Sequence, residues 1–144
     1  MLKTIACFKW VIDDADIKVD AASRRLILDR AGYKISAYDR NALEEAVRLF
    51  EQHGGTVAAL TVAPPTAKAC LKDALSRGPD AAYFVNDPSF TGLAPAQTAS
   101  LLASAIKTGI DYDLVICGEG SGDLYSQQVG PALAEILGIP LYRI

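Results

Sequence analysis

Four short apolar runs rich in strand-forming residues alternate with helix-like segments along this chain, and that alternation restricts the fold more than any other feature. The runs are TIACFKWV, TVAALTVA, AAYFV and DLVIC, at residues 4–11, 56–63, 81–85 and 113–117. None of them alternates strictly between apolar and polar residues, which is typical of strands buried on both faces of a parallel sheet. We therefore expect an open, doubly wound, mostly parallel α/β sheet with helices on both faces.

The segments between these runs carry helical patterns that end at glycines. In NALEEAVRLFEQHGG, an apolar stripe is formed by Leu43, Ala46, Val47 and Phe50, and the pattern stops at Gly54. Three further patterns, AKACLKDALSRG, AQTASLLASAIKTG and SQQVGPALAEILGIP, stop at Gly78, Gly109 and Gly138.

Residues 12–36 and 141–144 do not fit the alternation. The sequences IKVD and RRLILDR flank the turn sequence AASR, which predicts a small hairpin inserted between the first strand and the first helix. An insertion of this length at the carboxyl end of a strand is typical of a functional region. The final LYRI predicts the beginning of a further strand.

Length, charge and cysteine usage limit the classes of protein that the chain can belong to. With 144 residues, it is expected to form one domain over residues 1–144. A net charge of −3 gives no basic stripe for nucleic acid, and no apolar stretch approaches the ~20 residues that span a bilayer. Three widely spaced cysteines, Cys7, Cys70 and Cys117, suggest reduced thiols and a cytoplasmic location.

The stretch DLVICGEGSGDLYSQQVG, residues 113–130, is the strongest sign of a binding site. An apolar run stops at Gly118, and glycines recur at every second position up to Gly122, interleaved with acidic residues and a serine. Glycines let the backbone approach a ligand closely, and the amides at 126–129 can donate to a phosphate where the last helix begins. The spacing is neither that of the dinucleotide fingerprint nor that of a P-loop. The turn therefore indicates a nucleotide but no particular reaction.

The loop after the first strand, residues 7–11, is expected to meet this turn, because ligands in open α/β sheets bind where the strand order reverses. Lys9 could neutralise a phosphate there, and Trp10 and Tyr125 could stack on a ring, although solvated or packing roles are open for all three.

The competing interpretation of the turn is an ordinary βα loop capped by Asp123 or Ser126. The sequence also contains no recognisable catalytic set. A serine or cysteine nucleophile needs a base nearby, and the only histidine, His53, lies at a predicted helix end.

Five blocks of the sequence, taken in order, carry a family resemblance: ACFKWVID at 6–13, KISAYDRNALEEAVRL at 34–49, ALSRGPDAA at 74–82, QTASLLASAI at 97–106 and DLVICGEGSGDLYSQQVGPALAEILGIP at 113–140. With them the chain resembles the β (small) subunit of electron-transfer flavoproteins, most closely the branch linked to carnitine metabolism and nitrogen fixation. The resemblance covers essentially all 144 residues. Because the family's β subunits continue well past this point, we expect an N-terminal portion or a divergent short relative.

The resemblance implies an electron carrier and not an enzyme. It implies a bacterial heterodimer in which this chain binds AMP, or a second FAD as in electron-bifurcating members, on a Rossmann-like fold. A redox FAD would be shared with a larger α subunit, and the complex would accept electrons from acyl-CoA-type or related dehydrogenases. Carried over by resemblance, the nucleotide-contacting positions are Cys7, Ser36, Ala37, Tyr38, Asp39, Val62, Gly118, Glu119, Gly120, Ser121, Gly122, Asp123, Leu124, Tyr125, Ser126 and Gln127.

The chain also departs from the family pattern. Many members have Asn-Pro in place of Ser36 and Ala37, and many have glycine in place of Leu124 and Gln127, whereas Ser126 keeps the hydroxyl of the family's threonine. We therefore expect the fine geometry of the turn to differ. A stand-alone adenine-nucleotide sensor of the universal-stress-protein type is the alternative function, although its usual G-x-x-G loop does not follow the fourth strand here.

Overall fold

A computed structural model describes residues 1–143 of the protein, and a sheet of four parallel strands forms its centre. In chain order the elements are β1 (Lys3–Cys7), β2 (Trp10–Ile12), β3 (Lys18–Val19), β4 (Leu26–Ile27), β5 (Tyr33–Ile35), α1 (Ala37–His53), β6 (Thr56–Ala63), α2 (Cys70–Ser76), β7 (Ala81–Asn86), α3 (Pro95–Lys107), β8 (Leu114–Ile116) and α4 (Val129–Leu137). Single 3-10 turns lie at Asp14–Asp16 and Pro65–Ala67.

The central strands lie in the order β7, β6, β1, β8, and each neighbouring pair is parallel. The chain first builds outward from β1 through β6 to β7 and then returns to add β8 on the other side of β1. The strand order therefore reverses between β1 and β8. The loops that leave these two strands diverge there and open a crevice at the carboxyl edge of the sheet.

Helices cover both faces of the sheet. One apolar cluster joins Leu43 of α1 and Ala74 of α2 to Ala6 of β1. A second cluster joins residues of α3 and α4, among them Leu102, to Ile5 of the same strand. Successive side chains of a strand point to opposite faces, so a strand covered on both sides needs apolar residues at consecutive positions. The prediction of a doubly wound parallel sheet is confirmed.

The hairpin inserted after β1 is also confirmed, and the structure adds a second strand pair that the sequence did not indicate. Strands β3 and β4 pair antiparallel, as the two short strand-like segments predict. A second antiparallel pair, β2 with β5, closes the base of the insertion and sets Trp10 opposite Ile35. This base returns the chain to the carboxyl edge of the sheet, where α1 begins.

Several predicted boundaries are corrected by the structure. The first strand, predicted over 4–11, ends at Cys7, because the backbone then leaves the β1–β8 pairing and re-forms as β2 within the insertion. Helix α1 begins at Ala37, four residues before the predicted pattern, since the Asp39 side chain in its first turn is buried in a contact with the Lys9 amide and does not extend the apolar stripe. Helix α4 begins at Val129, three residues after the start of its predicted pattern at Ser126.

The strand predicted at 141–144 is not formed by residues 141–143, which pair with no strand in the described part of the chain. Ile144 lies outside the described residues. Among residues 1–143, none of the helices has both the length and the apolar character that a bilayer crossing requires.

Candidate functional site

A cleft of about 380 Å³ opens at the carboxyl edge of the sheet, at the reversal of strand order. Its walls come from the loops after β1 and β8, from the first turns of α1 and α4, and from the loop at 87–94 after β7. This volume lies at the lower end of the ~300–1,000 Å³ that is usual for small-molecule sites. The two loops that the sequence predicted to meet do meet here.

Asp39, in the first turn of α1, connects the loops that follow β1 and β8. The residue is 7% exposed, and its Oδ2 accepts a hydrogen bond from the backbone N–H of Lys9 at 2.8 Å. Burial raises the pKa of the Asp39 carboxyl to about 7, against the opposing effect of hydrogen bonds from the backbone amides of Lys9 and Gly118. A carboxyl group that titrates near neutrality therefore lies in the wall of the cleft.

Ser36 supports the turn from behind. The side chain is fully buried, and its Oγ accepts a hydrogen bond from the backbone N–H of Gly122 at 3.1 Å. A typical hydrogen bond contributes about 0.5–1.5 kcal/mol, so this partly buried bond helps to fix the middle of the turn against α1. Ser36 thus acts on the cleft through the position of Gly122.

The three alternating glycines have different steric needs. A Cβ on Gly118 would collide with the Asp39 carboxylate and would lie 2.9 Å from the backbone carbonyl carbon of Tyr38. A Cβ on Gly120 would lie 2.7 Å from a ring carbon of Tyr125. At Gly122 the nearest atom would be 3.8 Å away, an ordinary contact. Close approach therefore requires glycine at the first two positions and not at the third.

Aromatic side chains hold the far end of the turn. The rings of Tyr38 and Tyr125 lie 5.2 Å apart between centroids at a tilt of 45°. The Tyr125 hydroxyl donates to the carboxylate of Glu119, and this hydrogen bond, together with burial, raises the pKa of Tyr125. Tyr125 has a φ of 46°, in the left-handed region, so this contact is made at some conformational cost.

Lys9 and Asp123 form an ion pair between the two loops. The Lys9 Nζ lies 2.7 Å from Asp123 Oδ2, and both side chains are partly exposed. Burial alone would raise the pKa of Asp123, but hydrogen bonds from Lys9 and from Ser121 lower it overall. The ionised carboxylate thus neutralises the one cationic side chain that lines the cleft within residues 1–143.

The backbone that enters α4 is open to a ligand. Gln127 has a φ of 57°, and Gln128 precedes the helix without a side-chain cap. Pro131 is the third residue of α4, where a missing N–H removes no intrahelical bond. The first amides of α4 consequently have no side-chain acceptor at Gln128.

The predicted site residues separate into two groups. Those that line the cleft are Cys7, Asp39, Val62, Gly118, Glu119, Gly120, Ser121, Asp123, Leu124, Ser126 and Gln127. Those that do not line it are Ser36, Ala37, Tyr38, Gly122 and Tyr125. Among these, Ser36 and Tyr38 contact residues of the turn. Lys9 and Trp10, the only tryptophan of the chain, line the cleft as well.

One wall of the cleft consists of residues outside the predicted site. The loop at 87–94 contributes Phe90, Thr91 and Leu93, and α3 contributes Thr98. The sequence does indicate a loop here, because PSFTGLAP follows a predicted strand and is bounded by prolines. The loop lies at the same carboxyl edge as the predicted loops, although β7 is two strands away from the reversal.

The cysteines are free thiols, and two of them are neighbours in space. In the parallel register of β1 and β8, Ala6 lies opposite Ile116, so Cys7 and Cys117 follow side by side. A hydrogen bond between these thiols, together with burial, raises the pKa of Cys7 well above its usual value. Because Cys7 and Cys117 are far apart in the sequence, the sequence alone did not indicate that they are neighbours.

A protein-family model matches the chain. The family described as electron transfer flavoprotein domain matches residues 25–143, which is more than half of the chain. The matched region runs from the inserted hairpin to six residues beyond α4 and includes all loops of the cleft except the one after β1.

Proposed function

Because the chain belongs to the electron transfer flavoprotein domain family, we propose that it is a β subunit, or the N-terminal portion of one, with an adenine nucleotide in the cleft. Members of this family are electron carriers that generally bind flavin and work in complexes with dehydrogenases. The observation that carries the proposal is the cleft itself: a glycine turn, an uncapped helix start and a lysine meet where the strand order reverses.

The residues of the cleft suit the three parts of a nucleotide. The amides at the start of α4, the Ser126 hydroxyl and Lys9 are donors for a phosphate. The carboxylates of Asp39 and Glu119 can accept hydrogen bonds from ribose hydroxyls. Apolar side chains such as Val62 and Trp10 offer surface for the adenine ring.

AMP and FAD share this adenine, ribose and phosphate chemistry. The modest volume of the cleft favours a ligand of mononucleotide size, with any remaining part of an FAD outside it. In our proposal the redox flavin is a separate molecule, which sits mainly on an α subunit and is covered by this chain. The protein would then pass electrons from acyl-CoA-type or related dehydrogenases, in the cytoplasm, and catalyse no reaction of its own.

Of the two functions that the sequence left open, family membership favours the electron carrier. No observation on the structure favours a stand-alone sensor of the universal-stress-protein type. Co-purification with a larger flavin-bearing chain would separate the two, because a sensor needs no such partner.

The proposal is tested by titrating the purified chain with AMP and with FAD in a calorimeter. We expect AMP to bind one to one, and Ser126→Ala to weaken it by about 1–2 kcal/mol, the scale of a hydrogen bond to a charged group. Ser104→Ala, on an exposed position of α3, is the matched control. Failure of every adenine nucleotide to bind would overturn the proposal.

An absorbance spectrum distinguishes AMP from FAD as the ligand of the cleft. After addition of FAD and removal of the excess, we expect a colourless chain that gains a flavin band only with its α partner. A stoichiometric, reducible flavin on the lone chain would instead favour a second FAD in this cleft.

A further inference from the structure

Cys7 and Cys117 form a pair of thiols in the lining of the cleft. Ala6 of β1 lies opposite Ile116 of β8 in the parallel sheet, and the two cysteines are the next residues along each segment. Cys7 belongs to the apolar cluster that contains Ile5, and Cys117 packs against the same cluster. Because side chains of a strand alternate between its faces, both thiols project to the same side of the sheet.

The spacing of the two residues suits a covalent bond between their sulfur atoms. Neighbouring strands lie about 4.7–4.9 Å apart, and a disulfide usually joins residues whose Cα atoms are about 4.4–6.8 Å apart. The two thiols already share a hydrogen bond, which brings the sulfur atoms together before any reaction. The fold itself therefore supplies the proximity that an intramolecular disulfide requires.

The two thiols differ in their access to a reagent. Cys7 is 5% exposed, whereas Cys117 is half-buried at the cleft. The hydrogen bond to Cys117, together with burial, raises the pKa of Cys7 well above its usual value, so Cys7 stays protonated at neutral pH. A reagent that enters the cleft consequently meets Cys117 first, with Cys7 beside it to complete the reaction.

The third cysteine provides a contrast within the same chain. Cys70 of α2 is fully buried in the other apolar cluster, on the opposite face of the sheet, and it does not line the cleft. Burial raises its pKa to about 11. Cys70 therefore has neither the access nor the neighbouring thiol that the other two cysteines have.

We propose that Cys7 and Cys117 are a redox modification site, a dithiol that closes to an intramolecular disulfide by exchange with a small disulfide in the cleft. The closed form would join the carboxyl ends of β1 and β8 covalently at the reversal of strand order. The inference does not depend on which ligand the cleft binds, because it rests on the register of two strands and on the lining of the cleft.

The exchange proceeds through a mixed disulfide. The Cys117 thiolate attacks one sulfur atom of the reagent, whose S–S bond breaks, and the displaced half takes up the proton that Cys117 has lost. Cys7 then attacks the Cys117 sulfur, and the second half of the reagent leaves as a thiol with the proton of Cys7. The two protein sulfurs are oxidised to one disulfide, and the reagent is reduced to two thiols. Excess small thiol reverses both steps.

The test is to treat the folded wild-type chain with bis(2-hydroxyethyl) disulfide, a small neutral reagent, and to measure the product by intact mass spectrometry. We expect a monomer that is lighter by two hydrogen atoms and carries no adduct. Titration of the denatured product should find one free thiol in place of three. Peptide mapping should find the peptides of Cys7 and Cys117 linked, and dithiothreitol should restore all three thiols.

Three single substitutions separate the roles of the cysteines, with circular dichroism to verify folding. Cys7→Ser should stop at the mixed disulfide and keep one adduct on Cys117, and Cys117→Ser should not react. Cys70→Ser is the matched control, which should close its disulfide at the wild-type rate. Reaction of Cys117→Ser as fast as the wild-type chain would overturn the assignment of Cys117 as the attacking thiol.

The wild-type measurement decides the inference even if a substitution at buried Cys7 prevents folding. Three free thiols after treatment would overturn it, as would a stable adduct on the wild-type chain. A disulfide between two chains, seen as a dimer on a non-reducing gel, would also overturn it, since the pair would then not close within one molecule. Binding or failure of binding of an adenine nucleotide bears on the proposed function alone.

Discussion

The cleft has two walls that are held in different ways. The first, which we call the tied wall, consists of residues 8–9, the first turn of α1 and the turn at 118–128. Its contacts join parts of the chain far apart in sequence, such as Lys9 with Asp123 and Ser36 with Gly122. The second, the loose wall, is the loop at 87–94, where Ser89 and Phe90 donate to Asp87 only a few residues away.

The two walls differ in how much conformational entropy they lose when the chain folds, before any ligand binds. The tied wall is polar and is fixed in the folded chain, so a ligand that binds its donors need not order them. The loose wall offers apolar side chains and local turns, which can adjust to a ring at little cost. We therefore expect the tied wall to give specificity for the polar part of a ligand, and the loose wall to tolerate variation in its ring.

The strongest way to break the tied wall is Gly118→Ala. The new methyl group would collide with the Asp39 carboxylate and the backbone of Tyr38, and we expect a loss of about 2–3 kcal/mol in the free energy of unfolding. Urea denaturation measures it. Gly122→Ala is the matched control, which should change stability by less than about 1 kcal/mol. Equal losses in the two variants would show that the close approach at Gly118 is not what fixes the wall.

The pH dependence of the free energy of unfolding tests the role of Asp39. Its pKa is about 7 in the folded chain and ~3.9 in an unfolded one, so between these values the folded chain holds more protons and its stability falls as the pH rises. Relative to Asp39→Asn, which cannot titrate, wild-type stability should fall by about 3 kcal/mol from pH 4 to pH 7.

The comparison with Asp39→Asn isolates this slope from those of other carboxyl groups. Asp111→Asn, an exposed substitution, should keep the wild-type slope. Parallel curves for the wild-type chain and Asp39→Asn would contradict a raised pKa at this position.

Ser36→Ala removes one connection from behind the tied wall. The backbone N–H of Gly122 loses its acceptor, and we expect a cost of about 1–2 kcal/mol in the free energy of unfolding. Hydrogen exchange should show faster exchange at Gly122 in the variant. Undiminished protection there, with Ser104→Ala as reference, would mean that other contacts hold the turn.

The smallest effect is expected on the loose wall. Phe90 is half-buried beside the cleft, and Phe90→Ala should lower the free energy of unfolding by only about 0.5 kcal/mol, since few long-range contacts depend on the loop. Thermal unfolding measures it. A loss as large as that of Ser36→Ala would remove the distinction between the walls.

Most of the fold was predictable because local sequence patterns indicate its strands and helices. Apolar runs at 4–11 and 56–63 without alternation indicate strands covered on both faces, and glycines mark the helix ends. The start of α1 was placed four residues too late, since Tyr38 and Asp39 follow tertiary contacts and not the apolar period.

The position of the candidate site was predictable from the sequence, but the contacts between its residues were not. Strand–turn–helix order and the reversal rule indicate which loops meet. Contacts such as Asp39 with Lys9 or Cys7 with Cys117 depend on strand register and rotamers, which no periodicity encodes. The positive φ of Gln127 explains why related chains can have glycine there, and the sequence alone only marked the departure.

The position of Trp10 gives the protein a built-in optical reporter. It is the only indole of the chain, and it lines the cleft at the base of the inserted hairpin. Emission excited selectively from this residue therefore arises at the cleft alone, with no second indole to dilute the signal. Quenching by energy transfer would reveal a flavin seated beside it, whereas a nucleotide without a visible chromophore would shift the band through the change in local polarity.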